Sequence, residues 1–151
     1  MIPDDGGSAQ EREMVALIRG HPGQKRKSFR YDARLGAAAR AKARDMAKRG
    51  YFGHTDPDGF GSNWHIARTG YRLPDHWLAF KNANQGESIL AGFSSVPDAL
   101  AHWLNSSSHR SHLLALNQFY ADQTQYGIGY HSEPGSKYGH YWVLVTAPPE
   151  Q

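Results

Sequence analysis

The stretch Gly50-Tyr-Phe-Gly-His54-Thr-Asp-Pro-Asp-Gly59 ends a helix marked by both caps and periodicity and opens an irregular region. Upstream, Asp32 stands at an N-cap position, and Leu35, Ala39, Ala43 and Met46 recur at the spacing of one helical face. Lys48 and Arg49 fall in the last turn, where the negative end of the helix dipole favours cations, and Gly50 supplies the stop. Downstream, Asp56-Pro-Asp-Gly59 has the composition of a tight turn. A calcium loop in this register would need acids at 54 and 65; both are histidines, so the turn reading prevails.

Outward from this stretch, Ser8-Ala-Gln-Glu11 has capping-box spacing ahead of Met14, Leu17 and Ile18, and Gly20 and Pro22 end that helix. Residues 21–31 read as a polar loop finishing on Phe29 and Tyr31. On the other side, Gly61–Thr69 suits a short helix stopping at Gly70, while Tyr71–Phe80 and Gln85–Ala91 can each hold an extended piece. Ser95-Val-Pro-Asp98 caps another helix whose apolar face is Val96, Leu100, Trp103 and Leu104. Serines 106–108 interrupt it and can cap a further helix, His109–Leu116. Gln125–His131 and Tyr138–Thr146, rich in Tyr, Ile, Val and Trp, flank Ser-Glu-Pro-Gly-Ser as a hairpin would. Helices first and strands last predict an α+β fold with helices packed on an antiparallel sheet.

Length and composition narrow the classes. A chain of 151 residues fits one domain with a proper core, and no window approaches the roughly 18 apolar residues of a membrane span. Without cysteine there is neither a disulfide framework nor a thiolate metal site. The start, Met1-Ile-Pro-Asp-Asp-Gly-Gly, lacks the regions of a signal peptide, leaving a cytosolic protein or a leader already removed. Residues 1–75 carry fourteen Lys/Arg against nine Asp/Glu, and the remainder three against five. That asymmetry suits an anionic surface such as a cell envelope, but because no nucleic-acid motif accompanies it a solvated helix face is the preferred reading.

Three side chains beside structural punctuation carry the chemistry. His54 lies on a loop between Gly53 and the Pro-Asp-Gly turn, Glu87 follows Gly86 ahead of an apolar Ile-Leu pair, and His109 falls in the first turn of a helix. Two imidazoles and a carboxylate suit a divalent metal or acid–base work. Each also has a plain structural use: a hydrogen bond tying down the loop for His54, a salt bridge for Glu87, a helix-start hydrogen bond for His109. A helix start disfavours imidazolium, so His109 is expected to be neutral, the form that binds metal or accepts a proton. His112, one turn on, reads as surface or packing, and the other histidines as incidental. No Gly-x-Ser-x-Gly elbow and no phosphate-binding glycine loop is present, and capping accounts for the serines near His109.

Taken in order, Arg44-Asp-Met-Ala-Lys-Arg-Gly-Tyr-Phe-Gly-His54-Thr-Asp-Pro-Asp-Gly59, Gly86-Glu-Ser-Ile89, Trp103-Leu-Asn-Ser-Ser-Ser-His-Arg110, Tyr126-Gly-Ile-Gly-Tyr130 and Tyr141-Trp-Val143 resemble the CAP superfamily. This is the group of cysteine-rich secretory, antigen 5 and pathogenesis-related proteins, and the match is to its bacterial extracellular SCP-like branch. The resemblance implies an α-β-α sandwich, a small antiparallel sheet between helical layers, and a cleft whose positions fall on His54, Glu87 and His109. It also implies a single domain over 11–147, between a flexible segment 1–10 and a tail 148–151. Relatives bind zinc in the cleft, or bind sterols or fatty acids, so the expected roles are a secreted or envelope-associated, monomeric module for a small lipid or envelope partner, with zinc as a candidate cofactor, or else a zinc-dependent hydrolase. Two departures bear on the second role: Ser88 stands where the family has Asn, and no acid occupies the position near Ser106.

Overall fold

The computed structural model describes residues 7–151. Six helices and four strands follow in the order α1 (Ala9–Arg19), β1 (Arg30–Tyr31), α2 (Ala33–Arg49), α3 (Ser62–Arg68), β2 (Glu87–Ala91), α4 (Val96–Asn105), α5 (Ser107–Leu114), α6 (Gln118–Ala121), β3 (Gln125–Ser132) and β4 (His140–Ala147). The sheet order is β1-β3-β4-β2; β4 is antiparallel to both neighbours, and the two-residue β1 runs parallel to β3. Among the described residues no helix is long and apolar enough to cross a membrane.

Strand β4 organises the core. Its side chains alternate, so Tyr141, Val143, Val145 and Ala147 join a cluster with Leu35, Ala39, Ala43 and Met46 of α2. Trp142 and Leu144 join a second cluster with Met14 and Ile18 of α1, Val96, Leu100 and Trp103 of α4, and Leu113 of α5. A strand covered on both faces reads as a continuous apolar run, which is how His140–Ala147 is composed. The result is the expected α-β-α sandwich.

Helix α2 lies directly on β3, and two glycines permit it. A Cβ at Gly127 would stand 2.0 Å from the Leu35 carbonyl carbon, and one at Gly129 would stand 2.5 Å from that of Ala39. The alternate residues Tyr126 and Ile128 point to the other face and fill the second cluster. The Gly-Ile-Gly spacing is thus a packing requirement of the α2 layer.

The local signals at the helix ends are realised. Ser8 and Glu11 close both halves of a capping box, Asp32 accepts from the Arg34 and Leu35 amides, and Gly50 ends α2 in the left-handed region (φ 69°). Residues 1–6 of the segment expected to be flexible lie outside the described residues, and α1 already begins at Ala9. The 148–151 tail is tied back: Tyr71 donates its hydroxyl hydrogen to the Pro148 carbonyl at 2.6 Å, and Arg34 pairs with Glu150 at 2.6 Å.

Other expectations need correction. Tyr71–Phe80 forms no strand; beyond Pro74, which has no N–H for a ladder, Asp75–Leu78 turns as a 3-10 helix and buries Trp77. Helix α5 starts at Ser107 and stops at Leu114, because Ala115 takes a left-handed conformation (φ 57°). The serine side chains give no cap: Ser106 occupies the N-cap position, but its hydroxyl meets that of Ser108 at 3.3 Å rather than a helix amide. Arg26 and Lys42, read as part of a solvated basic face, are both buried. Arg26 donates to the carbonyls of Gln123, Leu113 and His112 at 2.7–2.8 Å, and burial brings its pKa down to about 10.

Candidate functional site

His54 and Glu87 meet across the irregular region. The loop after Gly50 carries His54 to the edge of the sheet, where its Nδ1 lies 2.8 Å from Glu87 Oε1. The His54 side chain is 44% exposed and that of Glu87 only 1%. A carboxylate on Nδ1 fixes the orientation of the imidazole and leaves Nε2 as the nitrogen not engaged by Glu87. Glu87 is held from the other direction by its strand, paired with Val145 of β4. The loop itself is fixed by Asp56, whose carboxylate accepts from the Asp58 and Phe60 amides at 2.9 Å and pairs with His65 Nε2 at 2.7 Å. These contacts hold Asp56 below the ordinary carboxylate range against the opposing effect of burial. His65, read as incidental, is therefore a partner of the turn.

His109, in the first turn of α5, lies near enough to His54 to feel its charge. Its pKa is lowered, first by partial burial and then by repulsion from His54 and His102. Among the described residues, however, no three histidine or acidic side chains converge as a metal cage would require. Glu87 directs its oxygen at His54, so its geometry is that of an acid orienting one imidazole. The side chains here with the chemistry to ligate a divalent ion are His54 and His109, and Glu87 is engaged with the first.

Three residues missed or undervalued in the sequence surround this pair. His112 is buried, with Nδ1 2.6 Å from Ser88 Oγ and Nε2 2.8 Å from Thr146 Oγ1. Burial, then the charge of Arg26, pushes its pKa well below the usual imidazole value, so it stays neutral. Ser88, the departure from the family's Asn, therefore serves His112, while Glu87 is oriented by His54. Lys42 is the third. Its ammonium donates to the Tyr51 hydroxyl and to the His54 carbonyl, both at 3.3 Å. Burial lowers its pKa, and Glu87, Asp56 and Asp45 partly restore it. The sequence signal for Lys42 was present: it follows Leu35 by seven residues and so returns to the inner face of α2.

A helix–sheet–helix sandwich with an imidazole–carboxylate pair at the sheet edge defines the class of this protein. A family model described as CAP, the cysteine-rich secretory protein family, matches residues 12–146, and the chain belongs to that family. It is 31% identical over 124 residues to the Bacillus subtilis (strain 168) protein YkwD, an alignment covering 82% of this chain and 43% of that protein. The chain thus spans less than half the length of that curated relative.

Solved structures share the fold. An outer surface protein from Borrelia burgdorferi superposes with a TM-score of 0.66 at 17% identity, covering 91% of this chain and 88% of that one. An extracellular protein containing a SCP domain from Bacillus anthracis str. Ames gives 0.66 at 22% identity, over 89% of this chain and 37% of that one. Venom allergen-like protein 4 of Schistosoma mansoni gives 0.57 at 14% identity, over 95% and 91%.

Proposed function

We propose that this chain is a secreted or envelope-associated binding module that takes a small lipid or an envelope component and performs no reaction of its own. One observation carries the reading: beside the His54–Glu87 pair, α2 and the 56–69 segment enclose a half-open groove of about 530 Å³. That volume lies in the range of small-molecule sites. The arrangement of groups argues in the same direction. Ser88, a serine hydrogen-bonded to an imidazole, is sealed in the interior with His112, and the position near Ser106 offers no second carboxylate as a base. The names of two structural relatives, an outer surface protein and an extracellular protein, support a place outside the cell.

A zinc-dependent hydrolase is the second reading, favoured by the contact between Glu87 and His54 and by a neutral His109. In that reading His54, Glu87 and His109 hold the ion, which would polarise a carbonyl or a water when bound. The two readings separate in one set of experiments. Protein purified without chelator is extracted for co-purifying small molecules, then incubated with bacterial lipid and envelope extracts. Saturable retention of a component supports the binding module, and retention of nothing overturns it. Zinc titration of the wild type against His54→Ala tests the metal: equal stoichiometry and affinity removes the site.

A further inference from the structure

The groove beside the His54–Glu87 pair has a lining that narrows its ligand. On α2 the row Ala37, Ala41, Asp45 and Arg49 repeats every four residues, so the four share one face, and all line the groove. Ala37 and Ala41 are exposed, leaving a floor of methyl groups where longer side chains would close the space. The opposite wall is Phe60 and Trp64, stacked with centroids 3.9 Å apart. That stack is capped by Lys81 over Phe60 at 5.2 Å and by Arg68 over Trp64 at 4.8 Å.

Charge in the groove is balanced and mostly spent. Lys42, Arg49 and Arg68 face Asp45, Asp56 and Asp58. Arg49 pairs with Asp45 and with Asp58, each at 2.8 Å, and His65 covers Asp56 at 2.7 Å. Lys42 differs. It is 8% exposed, and among the described residues it makes no ion pair; its two acceptors are the neutral oxygens of Tyr51 and His54. An ammonium carries three donors, and beyond those two oxygens Lys42 has only the face of the Tyr51 ring, 4.7 Å from its nitrogen, so among the described residues it retains capacity for a further oxygen acceptor.

This lining disfavours two kinds of ligand. A strongly charged molecule meets equal numbers of cations and anions and gains no net attraction. An alkyl chain could lie against Phe60 and Trp64, but it would desolvate Lys42, Asp45, Arg49 and Asp58 without pairing them. A hydroxyl group suits both signs, because it accepts from Lys42 and Arg49 and donates to Asp45 and Asp58, while sugar C–H faces can rest on the alanine methyls. We propose that the groove between α2 and α3 binds an uncharged saccharide, with Lys42 donating a hydrogen bond to one of its oxygens. The inference rests on the binding-module reading and names the class of its envelope component.

The test is titration of ¹⁵N-labelled protein with three probes: the tetramer of N-acetylglucosamine, maltotetraose and sodium decanoate. The expected result is saturable shifts with a saccharide, confined to amides in 37–49 and 56–69. Lys42→Met, which keeps the stem and removes the ammonium, should weaken that binding about tenfold. Ala41→Trp, at an exposed position, should abolish it by filling the groove with the melting temperature unchanged, and this variant decides the matter if Lys42→Met folds poorly. Saccharide shifts elsewhere, or shifts indifferent to Ala41→Trp, overturn the proposal. Decanoate binding without saccharide binding overturns it while leaving the binding module standing, and silence with all three probes counts against both.

Discussion

Ser88 donates its hydroxyl hydrogen to Nδ1 of His112 across 2.6 Å, with both side chains out of solvent. The direction follows from the far end of the chain. Thr146 donates to Gln123 Oε1 at 2.7 Å, so its oxygen accepts from His112 Nε2–H at 2.8 Å, leaving Nδ1 as the acceptor. A relay of four side chains thus joins β2, α5, β4 and the loop before β3 beneath the site. Ser88→Ala would strand the Nδ1 lone pair and should cost about 1–3 kcal/mol. Urea denaturation measures it; a variant as stable as the wild type would remove this hydrogen bond from the account.

The same burial gives stability a pH dependence. His112 and His109 have folded-state pKa values below the ordinary imidazole value, His112 by more. As pH falls, the unfolded chain takes up protons at these histidines first, so stability is present above about pH 6.5 and is lost below it. Each histidine contributes a slope of up to about 1.4 kcal/mol per pH unit until its folded form also protonates. Depressed carboxylates such as Asp56 act in the same direction, but in a lower window near their unfolded value of 3.8. Denaturation at about pH 7.5 and about pH 5.5 isolates the histidine part. His112→Gln should flatten the difference, and an unchanged slope would show that His112 does not carry it.

Much of the fold was legible because local rules and packing agree in it. Asp32, Gly50 and the Leu35–Met46 face specify α2 by capping and periodicity alone, and the final hairpin announces itself by composition. Failures fall where one tertiary contact decides the outcome. Strand β1 is two residues long and exists through its pairing with Gln125 and Tyr126, and α6 is a single turn capped by Asn117. At the site, residue type singled out His54, Glu87 and His109; the structure pairs the first two, and the sequence could not say which nitrogen meets which oxygen. The charge run misled in a particular way. Arg26 is a cation by composition, yet it serves as the cap of α5, closing carbonyls at that helix's C-terminal end.

Gly127 offers a severe test of the layer contact. The β carbon in Gly127→Ala would stand 2.0 Å from the Leu35 carbonyl carbon and 2.2 Å from the Gly36 nitrogen, both backbone atoms. Neither can swing aside as a side chain would, so α2 must lift from β3. The cost should exceed the roughly 1–3 kcal/mol of ordinary overpacking. Circular dichroism melting should show a large drop or no cooperative transition. A melting temperature within a few degrees of wild type would mean that α2 sits further from the sheet than this packing requires.

Glu87→Gln tests the link between the His54 pair and the groove. The substitution keeps shape and removes charge. His54 loses its charge-assisted partner, and because that ring is 44% exposed the cost should be only about 1 kcal/mol. The more informative effect reaches Lys42. Burial lowers its pKa, and Glu87 is the foremost of the carboxylates opposing that fall. Removing the charge should therefore lower the Lys42 pKa further, so that its amine loses its proton at a less alkaline pH. Titration of ¹³C-labelled lysine side chains reads this directly, with Lys42→Met assigning the resonance. A downward shift joins Glu87, Lys42 and His54 in one electrostatic unit, so a ligand on Lys42 would act on the pair. An unchanged titration would make the groove and the pair independent sites that share only a backbone carbonyl.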